Sequence, residues 1–141
     1  MRFTRWLYSA AGIYGLLLIA PLYFAEARIG QSDPPAITHP EYFYGFIGVT
    51  LAWQIVFLLV ARDPVRQRPI MPAAVLEKAS YGVSALALYL SERVSPMVGI
   101  FGVVDCALAA LFLLSFYLMR LERIAHSRCA PAASGRSLSV E

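Results

Sequence analysis

The residues able to do chemistry in this chain are polar groups embedded in apolar runs. Asp105 stands alone among aliphatic and aromatic neighbours in "MVGIFGVVDCALAALFLLSFYLM", residues 97–119. Glu77, Tyr81 and Ser84 recur at i, i+4 and i+7, the spacing of one helical face. Ser80 lies beside them. Gln54 follows Thr50 by four residues, and Tyr14 sits near the middle of the first apolar run. Isolated ionisable groups deep in lipid cost at least about 2.5–3.5 kcal/mol on insertion scales, so they turn inward. Asp105, Glu77, Tyr81, Ser84, Gln54 and Tyr14 are therefore the candidate ligand-binding residues. Asp105 could serve as a structural hydrogen bond, a neutral carboxylic acid, or a group that handles protons or ligand. Glu77 could pair with a loop arginine or sit at a helix N-terminus, where the dipole favours an anion. Gln54 reads as interhelical polar glue. Lys78, about 100° from Glu77 on the helical wheel, is expected to snorkel to the headgroups.

The setting for these residues is apolar throughout. The chain has 141 residues, 59% hydrophobic and only 15% charged, with a mean hydropathy of +0.62. Soluble domains carry about 25% charged residues. Lysine and arginine outnumber acidic residues 12 to 9, for a net charge of +3. These cations flank apolar runs and form no continuous surface, so nucleic acid is not an expected partner. Cys106 and Cys129 read as plain thiols. With no intramembrane histidine and no ligand-spaced cluster, neither metal nor cofactor is expected. His39 and Glu41 are expected at the surface, at the start of the second segment. Gly-rich phosphate loops, CxxC, HExxH and GxSxG are all absent from the sequence, so no catalytic residue is assigned.

Four apolar segments, 6–25, 42–61, 74–91 and 97–119, have the length of membrane spans at about 20 residues for a 30 Å core. The third is the shortest and most polar. Helix is required there, because no water satisfies exposed backbone groups in lipid. Breakers separate the segments: Gly30, Pro34, Pro35 and Pro40, then Pro64, Pro69 and Pro72, then Pro96. The fold class expected is all-α, an integral membrane four-helix up-down bundle over residues 1–120. A disordered cytoplasmic tail, 121–141, is expected to follow. Arg2 and Arg5, the loop with Arg62, Arg66 and Arg68, Lys78, and the tail arginines lie on one side, so both termini are expected in the cytoplasm. Arg62, Arg66 and Arg68 are expected at lipid headgroups.

Aromatic residues mark the interfaces: Trp6 and Tyr8 at the inner end, Tyr23, Phe24, Tyr42, Phe43 and Tyr44 at the outer end, Tyr89 and Tyr117 closing the last two spans. Small residues, Ala11 with Gly15 and Gly45 with Gly48 and Ala52, suit close helix packing, and Pro21 predicts a kink. The N-terminal stretch could also be read as a secretory signal, but its apolar run exceeds the usual 7–15 residues. An uncleaved first span is expected.

The stretch "HPEYFYGFIGVTLAWQIVFLLVARDPVRQRPIMPAAVLEKASYGV", residues 39–83, resembles small bacterial four-helix membrane proteins of DoxX-like layout. They share a basic, proline-containing cytoplasmic hairpin and a Glu-Lys pair opening the third helix. A weaker likeness of layout is to the emopamil-binding (EXPERA) bundles, which enclose a hydrophobic ligand among acidic and polar groups. The resemblance implies a multi-pass protein of the bacterial inner membrane. Its partners would be the lipid bilayer and other membrane protein subunits. The leading expectation is a non-enzymatic accessory subunit of a membrane complex. The alternatives are a binder of a hydrophobic small molecule (quinone, isoprenoid or lipid) in an intrabundle cavity, or a membrane isomerase using Glu77 and Asp105. An enclosed cavity on which the polar residues converge discriminates the latter two from the first.

Overall fold

A computed structural model of the chain describes residues 1–32 and 37–129. Among the described residues the structure is all-helical. Helix α1 is Arg2–Ile19, and a 3-10 segment Ala20–Phe24 continues from it. A short helix α2 covers Glu26–Ser32. Then come α3, Pro40–Arg62, a 3-10 turn at Arg68–Ile70, α4, Met71–Leu90, and α5, Pro96–Cys129.

The element ends follow local chemistry. Pro40 and Pro96 open α3 and α5, where a missing N–H costs nothing. Glu41 falls in the first turn of α3, as expected of a carboxylate at a positive dipole end. Asp63 closes α3, and its carboxylate accepts the Arg66 N–H at 3.1 Å, folding the chain back. Ser91 ends α4 by donating its hydroxyl to the Ala87 and Leu88 carbonyls, and Glu92 takes a left-handed φ of 56° in the turn to α5. Pro21 tightens the end of the first helix into a 3-10 turn instead of kinking its middle.

Among the described residues, three helical stretches are long and apolar enough to cross a membrane: Arg2–Phe24, Pro40–Arg62 and Pro96–Leu121. The chain is thus a membrane protein by helix length and composition. The third expected segment, α4, is not among them, because Glu77 and Lys78 dilute its hydropathy. The outward faces are strongly apolar: Leu17 is 74% exposed, Leu76 68% and Leu90 80%. Such surface is unfavourable in water and unremarkable against acyl chains.

Packing divides the helices into two antiparallel pairs. In the first, α1 lies along α3, Gly12 meeting Leu58 and Gly15 lying under the Gln54 side chain. In the second, α4 lies along α5. A Cβ at Gly82 would stand 2.7 Å from Cys106 Sγ and 2.9 Å from the Cys106 amide nitrogen, so the two backbones are close. Joining the pairs is an aromatic core. Tyr8 stacks on Phe112 with centroids 4.0 Å apart, and Phe57 meets both rings edge-on. Each such pair adds about 0.5–1.5 kcal/mol beyond buried area. The Ser115 hydroxyl donates to Thr4 Oγ1 at 2.8 Å beneath it. Helices α3 and α4, though consecutive, scarcely touch.

Several expectations change. Tyr8 is fully buried in this core, where an interfacial ring was expected, whereas Trp6 is 77% exposed as the aromatic-belt reading requires. The connection between α1 and α3 contains helix α2, which runs through Gly30. The expected breakers Pro34 and Pro35 lie outside the described residues. Helix α5 runs on to Cys129, past the end expected near Met119, because Leu121, Glu122, Arg123 and Ala125 are good helix formers and no breaker intervenes. Of the tail expected to be disordered, 121–141, the stretch to Cys129 is helical and 130–141 lies outside the described residues. Arg62 and Arg66 are exposed, but Arg68 is half-buried with its guanidinium 4.8 Å over the Phe116 ring, tying the loop to α5.

The close approach of α4 and α5 yields a prediction. Gly82→Leu forces the pair apart and lowers unfolding free energy in detergent by about 1–3 kcal/mol, as overpacking does. Gly45→Leu, at a position where a Cβ would meet nothing within 4 Å, leaves it unchanged or slightly raised. Equal midpoints for the two variants in a thermal unfolding assay would contradict the packing described.

Candidate functional site

The site begins with a face of small residues. On α4, Ala74, Lys78, Gly82 and Ala85 are all buried and recur with helical spacing. On α5, Gly102, Asp105 and Ala109 face them, the wheel position expected for Asp105. The lysine therefore points at α5 and not at the headgroups. Lys78 is only 6% exposed. Its Nζ donates to both carboxylate oxygens of Asp105, at 3.1 and 3.3 Å. It also lies 3.6 Å from Glu77 Oε2 and 5.6 Å above the Phe57 ring. The expected snorkelling is overturned. Glycine at 82 brings the backbones so near that an α4 side chain of lysine length reaches Asp105 without leaving the interior.

A cavity of about 170 Å³ opens beside the pair, walled by all four long helices. Asp105 and Lys78 form its floor with Glu77 and Tyr81 from α4. Gln54 and Thr50 contribute from α3 and Tyr14 and Gly15 from α1, while Leu18, Phe46 and Phe101 supply apolar wall. Of the six residues picked out by sequence, five meet here: Asp105, Glu77, Tyr81, Gln54 and Tyr14. Ser84 does not. It lines an outer groove of about 580 Å³ between α3 and α4, along with Val49, Trp53, Leu76 and Ser80. Groove and cavity share Phe46, Thr50, Glu77 and Tyr81 as a common wall, where the Phe46 and Tyr81 rings stack at 5.8 Å.

Two acceptors in this site lack a hydrogen-bond donor among the described residues: Gln54 Oε1 and Glu77 Oε2. The orientation of the Gln54 amide follows from its other end, where Nε2 donates to the Thr50 carbonyl at 3.0 Å. Gln54 is 1% exposed, with its oxygen over Gly15. A buried acceptor without a partner forfeits its hydration for nothing, at about 1–3 kcal/mol. Such groups mark either strain or a place for a ligand.

Lys78 is the residue that sequence reading misplaced, and a signal existed. It occupies the small-residue face of α4, three positions of which are Ala or Gly, beside the more conspicuous polar stripe Glu77–Tyr81–Ser84. His39 and Glu41 form an exposed pair at 3.3 Å and take no part in the cavity. No three His, Cys, Asp or Glu side chains come together as a metal set among the described residues.

The ion pair makes a double-mutant prediction. Removing one partner of a buried pair leaves an uncompensated charge, which costs about 3–5 kcal/mol, whereas apolar replacement of both is often neutral or better. Asp105→Leu and Lys78→Met should each lower stability in detergent, and the double variant should recover most of the loss. Strictly additive losses in chemical unfolding would show that the two groups are not coupled.

Comparison with protein-family models, curated proteins and solved structures found no match to the chain.

Proposed function

We propose that this protein is a four-span helical bundle of a cell inner membrane that binds a hydrophobic small molecule in the cavity beside Lys78 and Asp105. The observation that carries the reading is convergence: polar side chains from all four long helices meet at one partly open cavity between otherwise apolar helices. Ligand sites are typically concave and apolar with a few placed polar groups. A purely structural subunit would be expected to fill its centre with side chains, so the cavity favours binding over the accessory role.

The fourth crossing is supported by the same residues. Hydropathy averages count Glu77 and Lys78 in full against α4, but Lys78 is buried and neutralised by Asp105, and Glu77 is mostly covered. The lipid then meets Leu76, Val83 and Leu90, all more than half exposed. With four crossings, the arginine distribution sets both termini and the basic hairpin on the cytoplasmic side. The DoxX-like layout of residues 39–83 agrees with that arrangement.

Purification in mild detergent followed by mass spectrometry should recover a hydrophobic molecule near one per chain. Leu18→Trp, which fills the cavity from its wall, should abolish recovery with helicity by circular dichroism unchanged. Recovery from the variant at the wild-type level, or none from the wild type, would sink the reading. Reporters fused to the two termini should both report the cytoplasm; opposite compartments would mean an odd number of crossings.

A further inference from the structure

We infer that the ligand is a single-chain amphiphile whose head donates hydrogen bonds, of the alcohol or amine class, and whose chain lies in the groove between α3 and α4. This rests on the binding function proposed above and specifies its chemistry.

The head-group argument starts from what the site lacks. Gln54 Oε1 is a buried acceptor with no donor among the described residues, and Glu77 Oε2 has the Lys78 ammonium no nearer than 3.6 Å, beyond hydrogen-bond distance. Lys78, the ammonium at hand, is already directed at Asp105 and flanked by Glu77. The group thus holds two carboxylates for one ammonium. An anionic head would meet this excess negative charge where water screens it least. A hydroxyl or ammonium head would instead donate to Gln54 Oε1 and to the Glu77 oxygen that Lys78 leaves without a hydrogen bond, and a hydroxyl could also accept from the phenols of Tyr14 or Tyr81.

The size argument sets the rest of the molecule. The inner cavity, about 170 Å³, is below the roughly 300–1,000 Å³ of sites that enclose a drug-sized ligand. It can hold a head but not a chain. The adjoining groove of about 580 Å³ meets it at Phe46, Thr50, Glu77 and Tyr81, which line both spaces, so a chain in the groove lies one side-chain layer from the head site. Its outer residues Val49 and Leu76 are 63% and 68% exposed, on a lipid-facing surface. A chain lying there reaches the cavity sideways, from the bilayer, through the one seam between consecutive long helices that is loosely packed.

The test uses the full chain in phosphatidylcholine nanodiscs loaded with equal amounts of hexadecanol, hexadecylamine and hexadecanoate, with retained molecules counted by native mass spectrometry. The alcohol and the amine should each be retained about ten-fold or more over the carboxylate, the scale set by leaving buried polar groups unpaired. Glu77→Gln, which removes a charge and supplies an amide donor, should narrow that ratio several-fold. Ser84→Trp, in the exposed groove, should reduce hexadecanol retention. Equal retention of the three heads overturns the donor assignment while leaving the binding function intact. Undiminished retention in Ser84→Trp overturns the groove assignment. Retention of none of the three overturns the binding function itself.

Discussion

The Lys78–Asp105 pair is the constraint around which the other features arrange themselves. Two opposite charges survive in a low-dielectric interior only if they meet closely and have their remaining hydrogen-bonding capacity met. Meeting closely requires α4 and α5 to approach at Gly82, where a larger side chain would collide with Cys106, and at Gly102, where one would press on Ala85 and Leu86. Once that approach is made, α4 has turned its lysine inward and presents Leu76, Val83 and Leu90 outward. A helix too polar to cross lipid alone becomes compatible with it because its charge is answered from the neighbouring helix. Burial of such a pair adds little net stability. Its main effect is to hold register, since a shift of one turn would separate Nζ from the carboxylate by about 5.4 Å.

Register in turn shapes the space between the helix pairs. The aromatic stack of Tyr8, Phe57 and Phe112 closes one half of the molecule, so the pairs are pinned there. Toward the other half the closing side chains are glycine at 15, a folded-back glutamine at 54 and phenols at 14 and 81, and they do not fill the volume. Close-packed interiors leave few voids larger than a water molecule. A gap of this size with the unpartnered Gln54 oxygen in its lining is thus a feature to be explained by what it admits, which is the basis of the binding function proposed. The loose α3–α4 seam fits the same logic, because its loop is fastened elsewhere, by Arg68 over Phe116, and the two helices meet chiefly through the Phe46–Tyr81 stack and Lys78 over Phe57.

Much of this was legible in the residues. The apolar lengths, the proline breakers and the arginine distribution specify helices and their approximate ends, since lipid permits little else. The positions of Asp105, Glu77, Tyr81, Gln54 and Tyr14 within those runs mark them as inward groups, and the structure brings all five to one cavity. Ser84 shares a helical stripe with Glu77 and Tyr81 yet falls outside, because that stripe curves past the seam to the groove. The continuation of α5 to Cys129 was missed because loss of apolar periodicity was read as loss of helix.

Composition and periodicity by themselves determined that the chain is helical, that it belongs in a membrane, and that a few polar side chains must turn from the lipid. These follow from one-dimensional quantities, segment length and hydropathy, that solvent alone enforces. Which polar groups meet was decided only in three dimensions. Whether Lys78 swings to a headgroup or to Asp105 depends on the distance between two backbones, and that distance is set by glycines on both helices at once.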